Sequence, residues 1–168
     1  VIQHDVRRLD RLISDISDAS RLDAELQRQD VAWVDMRRLL TTTATIANET
    51  RHGNDVTAEV RFEGPAGDAF AVAGHDLRIG QVIANLLSNA QSFSDPGGKV
   101  RMVCRRVGKS EIEVAIDDDG PGIREDMLEK IFERFYTDRP HQGFGQNSGL
   151  GLSISKQIIE AHGGRIWA

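Results

Sequence analysis

Ile116-Asp117-Asp118-Asp119-Gly120-Pro121-Gly122-Ile123 reads as an acidic strand end running into a glycine-proline-glycine turn. It is followed by Ile131-Phe132-Glu133-Arg134-Phe135-Tyr136 and then by Asn147-Ser148-Gly149-Leu150-Gly151-Leu152-Ser153-Ile154, a glycine-opened helix. Each glycine pair lets backbone N–H groups approach a ligand closely. The second pair stands at a helix start, where unpaired N–H groups and the helix dipole favour anions. Together these segments predict a nucleotide phosphate site.

Outward from this stretch, the pattern predicts short strands at Val31 to Val34 and Ala69 to Ala73 and an alternating strand over Thr57 to Phe62. Helices are expected from Arg37 to Arg51, Leu77 to Phe93 and Gly149 to His162. Two alternating runs, Lys99 to Val107 and Glu111 to Ile116, are joined by the turn Gly108-Lys109-Ser110. Strands and helices mix without a regular βαβ repeat, which favours an α+β two-layer sandwich, helices on one face of a mixed sheet, over a doubly wound fold. Arg165-Ile166-Trp167 reads as the start of a further strand, so residues 30–168 are expected to be a domain lacking its last strands. Residues 1–29, free of Gly and Pro, place Ile2, Leu9, Leu12, Ile16, Ala19 and Leu26 near a 3-4 spacing. They read as a protruding amphipathic helix that either folds back on its own domain or pairs with a partner chain, and the narrow apolar stripe favours pairing.

With 168 residues, 39% hydrophobic and 28% charged, the chain can bury one real core plus a small appendage. A net charge of -5 argues against non-specific nucleic-acid binding, so no nucleic-acid partner is expected. An anionic ligand would need local help from a metal and helix ends. Cys104 is the only cysteine, which excludes an intramolecular disulfide and points to a reducing compartment. No long apolar run is present, so membrane contact is expected only through segments outside this sequence.

Asn85 and Asn89 are four apart on one predicted helix and share a face. A carboxamide oxygen is a hard ligand suited to Mg²⁺, which takes waters and substrate phosphates as its other ligands. The alternative is that the two amides buttress backbone. Asp118, at a strand end, is placed to accept a hydrogen bond from an exocyclic amine such as that of adenine. Its alternative is a simple acidic turn, and the spacing does not match an EF-hand.

Asn85-x-x-x-Asn89, Asp118-x-Gly120-x-Gly122, Phe132 with Phe135, and Gly149-Leu150-Gly151-Leu152, in that order, resemble the N, G1, F and G2 boxes of the catalytic ATP-binding domain of bacterial sensor histidine kinases, within the ATPase group shared with gyrase, Hsp90 and MutL. The string Arg8 to Asp23, with Gln91-Ser92-Phe93, is similar to the ChvG/BvrS type of envelope-sensing kinase. The resemblance implies a Bergerat-type fold binding ATP and Mg²⁺. Asn89 would hold the metal, Asn85 would support the phosphates, and Asp118 would read the adenine amine, with Phe93 near the base. Gly120 and Gly122 would shape the base pocket, and Gly149, Leu150 and Gly151 would present N–H groups to the phosphates. The loop carrying Arg139 and His141 would be an ATP lid rooted on Phe132 and Phe135, for which simple core packing is the alternative.

Two positions depart from the family pattern. Ser92 stands where many members have a Lys or Arg facing the phosphates, leaving Arg134 and Arg139 as candidate sources of charge. Asn147 replaces a frequent first glycine. Hydrolysing relatives commonly carry a Glu at the position of Asn85, and an amide cannot take a proton from water, so slow hydrolysis is expected. None of His4, His52, His75, His141 or His162 has the acceptor context of this kinase type. Residues 1–29 then read as the second helix of a dimerisation and phosphoacceptor hairpin whose acceptor lies upstream. A homodimer in the full-length protein, a response-regulator partner, and a cytoplasmic position within an inner-membrane sensor are what the resemblance implies.

Overall fold

The computed structural model describes residues 31–50, 56–65, 69–108, 110–134, 136 and 149–168. The expected N-terminal helix, most of the lid with Arg139 and His141, and Phe135 lie outside the described residues. The described chain divides into two compact units, one holding residues 31–122 and the other residues 123–168.

In the first unit, strand β1 (Ala32–Asp35) runs directly into helix α1 (Met36–Glu49). The switch is made by Asp35, whose carboxylate accepts the Arg38 N–H at 3.1 Å and so caps one of the donors that a helix start leaves unpaired. β2 (Thr57–Glu63), β3 (Ala71–Gly74), helix α2 (Asp76–Phe93), β4 (Lys99–Val107) and β5 (Glu111–Asp117) follow. β1 pairs antiparallel with β3, while β2, β4 and β5 form a mixed sheet in that order, β2–β4 parallel and β4–β5 antiparallel. The alternation read from the sequence is the pleat of this sheet. Val100, Met102 and Cys104 of β4 point to one face, in register with Ala58, Val60 and Phe62 on β2, and Met102 and Cys104 lie opposite Ile116 and Val114 on β5.

That face meets α1 through Met36, Leu40 and Ala44 and α2 through Ile79, Ile83, Leu87 and Ala90 in one core. Leu40, Leu87 and Met102 are fully buried, each stabilising by roughly 1.5–3 kcal/mol on the usual area scale. The opposite face carries charge: Lys99 pairs with Glu59, Arg101 with Asp119 and Arg105 with Glu113. A sheet with one dry and one wet face is the expected α+β solution. On α2 the buried stripe is Ile79, Val82, Ile83, Leu87 and Ala90, whereas Leu86 is only half-buried. Consecutive turns of a 3.6-residue helix drift, and the core here follows the drift to Leu87.

Asn48 closes an edge that sequence reading missed. Its amide donates to the Ala58 carbonyl and accepts the Ala58 N–H, both at 2.9 Å, so a side chain completes the outward hydrogen bonds of strand β2.

In the second unit, 3₁₀ turns at Glu125–Met127 and Lys130–Phe132 precede helix α3 (Gly151–Ala161). The helix starts two residues later than expected because Gly149 has φ +70, outside the right-handed helical region. It ends where the Gly163 and Gly164 N–H groups donate back to the Glu160 and Ile159 carbonyls, a Schellman closure. No strand forms at residues 165–167, since a strand needs a neighbour for its ladder and none of the described strands pairs there.

Candidate nucleotide-binding site

Asn85 and Asn89 lie one turn apart on α2, both half-buried, on the side away from Ile83, Leu87 and Ala90. The Asn89 side chain makes no hydrogen bond within the described residues, so its amide oxygen is not spent on buttressing backbone there. No group of three or more His, Cys, Asp or Glu side chains able to hold a metal occurs among the described residues. A lone amide oxygen fits Mg²⁺ only as one ligand of an ion that keeps its waters and arrives with phosphate oxygens, and the donor set is compatible with that chemistry. Ser92, the residue replacing a basic one, turns its hydroxyl back to the Asn89 carbonyl at 2.8 Å and adds no charge.

Asp118 is the first residue beyond β5 and is exposed. Its Oδ1 accepts the Gly120 N–H at 2.8 Å, an Asx-type turn, and no other described residue hydrogen-bonds to the carboxylate. One acceptor oxygen therefore remains for a ligand donor. Its neighbour Asp119 is engaged by the Arg101 guanidinium at 2.8 Å and the Lys99 N–H at 3.2 Å. The hydrogen bond from Arg101, then that from Lys99, hold the Asp119 carboxyl below the usual aspartate value.

The two glycines of this turn do different work. A Cβ on Gly120 would sit 2.5 Å from Asp118 Oδ1 and 2.7 Å from the Phe93 carbonyl oxygen, so Gly120 is required by close packing against the end of α2. Gly122 has nothing within 4 Å of such a Cβ, but its φ of +78 lies in the left-handed region. The close approach read from the sequence as an approach to a ligand is, at Gly120, an approach to the chain's own backbone. Phe93 itself is half-buried.

At the start of α3, Leu150 is the N-cap and the first intrahelical bond is donated by Ile154 to the Leu150 carbonyl at 2.9 Å. The N–H groups of Gly151, Leu152 and Ser153 precede that bond and belong to the set a helix leaves for other acceptors. The Leu150 side chain is buried. Phe132 is half-buried with the Lys156 ammonium 5.9 Å from its ring centroid, and Tyr136 donates to the Met127 sulfur at 3.1 Å. Arg134 is exposed.

In the first unit a mixed sheet backed by helices carries the amide pair of α2 and the Gly120–Gly122 turn; in the second, a glycine-shaped segment opens α3. The family described as histidine kinase-, DNA gyrase B-, and HSP90-like ATPase matches residues 74–168, more than half of the chain. The sensor proteins ChvG of Agrobacterium fabrum and Rhizobium meliloti are 51% and 53% identical over all of this chain, which spans 29% and 30% of their lengths. Full-length ShkA, solved in complex with AMPPNP, superposes with a TM-score of 0.75 at 26% identity, covering 96% of this chain and 32% of ShkA. The histidine kinase ThkA, solved in complex with the response regulator protein TrrA, gives 0.69 at 27% identity over 95% of this chain and 43% of that one.

The chain belongs to the family of histidine kinase-, DNA gyrase B- and HSP90-like ATPases. Within it, the relatives are sensor histidine kinases, and the matched region is their catalytic ATP-binding domain. No described helix is long and apolar enough to cross a membrane.

Proposed function

We propose that this chain binds ATP with Mg²⁺ and donates the γ-phosphoryl group to a histidine outside the sequence, for relay to an aspartate of a response regulator. The observation that carries the reading is the amide pair on α2, half-buried with Asn89 uncommitted among the described residues, at the spacing the family uses. Asp118 accepts the adenine amine through the oxygen that Gly120 leaves, Phe93 packs near the base, and Gly120 and Gly122 shape the turn beneath it. The backbone N–H groups of Gly149, Leu150 and Gly151 meet the phosphates. Arg134 and Arg139 supply the positive charge that Ser92 does not. Asn89 is the protein's metal ligand, and Mg²⁺ bound there neutralises charge on the phosphate oxygens. Asn85 supports the phosphates without acting as a base, so water is not activated and the donor waits for a delivered imidazole.

Residues 1–29 are proposed to be the second helix of the dimerisation and phosphoacceptor hairpin, with a homodimer formed in the longer protein and membrane contact made by segments beyond this sequence. ShkA with AMPPNP and ThkA with its response regulator support the nucleotide and the partner class. The test is transfer of label from γ-labelled ATP to a separately made acceptor hairpin. Transfer should require this chain and fail with Asn89→Ala. Labelling of the hairpin that is unaffected by Asn89→Ala would contradict the assignment.

A further inference from the structure

The turn bearing Asp118 is held by a residue that the preceding reading leaves unused. The β4–β5 register sets Arg101 opposite Asp117, and from there its guanidinium reaches past the strand end to Asp119 Oδ1 at 2.8 Å. The Lys99 N–H meets the other oxygen, Oδ2, at 3.2 Å, so both carboxylate oxygens of Asp119 are tied to the start of β4. On the other side of the turn, Gly120 is wedged against the Phe93 carbonyl and gives its N–H to Asp118 Oδ1. Asp118 is thereby joined by hydrogen bond to one anchored neighbour and by peptide bond to the other.

We infer that Arg101, acting through Asp119, is a positioning residue for adenine recognition. It fixes the turn so that the remaining oxygen of Asp118 is aimed at the exocyclic amine. The inference rests on the reading of Asp118 as the adenine acceptor. The Arg101 and Asp119 side chains are 49% and 44% exposed, and a pair so exposed contributes little to global stability. Hydrogen bonds, by contrast, weaken steeply once their geometry is lost, so a slack turn should show first in base selectivity.

The experiment is calorimetric titration of the 168-residue chain with ATP and with purine riboside triphosphate, which lacks only the exocyclic amine, alongside urea midpoints. Asp118→Asn should reduce the preference for ATP by about 10-fold or more, the value of a hydrogen bond to a charged acceptor. Arg101→Ala and Asp119→Ala should each reduce it by roughly 3-fold or more with little change in urea midpoint, and the double variant should be no worse than either single one, because the two residues act as one unit. Arg101→Lys should recover part of the preference, and it is read in place of Arg101→Ala if that variant proves unstable. A preference kept by the Arg101 and Asp119 variants but lost in Asp118→Asn overturns the inference and leaves the Asp118 reading standing. Equal weakening of both ligands in the Arg101 and Asp119 variants also overturns it. A preference untouched by Asp118→Asn removes the reading itself.

Discussion

Replacing Gly120 by alanine should cost far more than the same change at Gly122, although both glycines belong to one turn. A methyl group at Gly120 would lie 2.7 Å from the Phe93 carbonyl oxygen and 2.5 Å from Asp118 Oδ1, where ordinary contact begins at 3.4 Å. The shortfalls are 3.4 − 2.7 = 0.7 Å and 3.4 − 2.5 = 0.9 Å. The first obstacle is backbone at the end of α2 and cannot rotate away. The second can, but only by surrendering the 2.8 Å bond that fixes Asp118 to the Gly120 N–H. Overpacking of this kind costs about 1–3 kcal/mol, and loss of a hydrogen bond to a charged group adds ~1.5–3 kcal/mol where the turn gives way. At Gly122 the space is open, and the only cost is that of a left-handed backbone, about 1–2 kcal/mol. Urea denaturation followed by circular dichroism measures the stability difference, and calorimetric ATP titration measures the functional one. Gly120→Ala should lose more in both, with ATP affinity down by at least ~10-fold. A Gly120→Ala variant as stable and as competent for ATP as Gly122→Ala would show that the turn is not pinned against α2.

Asn89→Ala should weaken Mg²⁺·ATP binding by about 10-fold while leaving metal-free ADP binding nearly unchanged, and equal losses in calorimetry would remove Asn89 from the metal site. Asn48→Ala should destabilise the chain by about 2 kcal/mol, because the buried Ala58 loses the partner of both its N–H and its C=O, with a lowered urea midpoint as the readout. Burial pushes the Cys104 thiol up to about 11, the Arg37 charge offsetting part of the rise. The unfolded thiol ionises near its ordinary 9.0, so the stability this contributes is present below that pH and lost as pH rises toward 11. Cys104→Val should flatten that alkaline slope, and native Cys104 should resist alkylation at pH near 8 unless urea is added.

The strands and helices of the first unit were legible because their periodicities are clean: Val100, Met102 and Cys104 alternate along β4. The amide pair and the glycine segments were legible as residue types at fixed spacing. What escaped the sequence was pairing across long separations. Nothing near Asn48 says that it will satisfy Ala58, and nothing near Arg101 says that it will meet Asp119, because the first pairing is set by how α1 packs beside β2 and the second by the β4–β5 register. The start of α3 was misplaced for a local reason, since a glycine pair opening a helix reads the same whether its first member is helical or left-handed. The packing role of Gly120 was hidden for the opposite reason: it depends on where α2 ends in space.

The fate of the γ-phosphoryl group tests the central claim most directly. Single-turnover incubation of this chain with γ-labelled ATP and Mg²⁺, with and without a separately made acceptor hairpin, separates inorganic phosphate from protein-bound label in the same tube. Without the hairpin, little phosphate should be released and no protein labelled, since Asn85 is no base and none of the chain's histidines has an acceptor context. With the hairpin, label should appear on it and be lost in acid but kept in alkali, as a P–N bond requires. Rapid phosphate release without the hairpin, or acid-stable label on serine or threonine, would contradict the account.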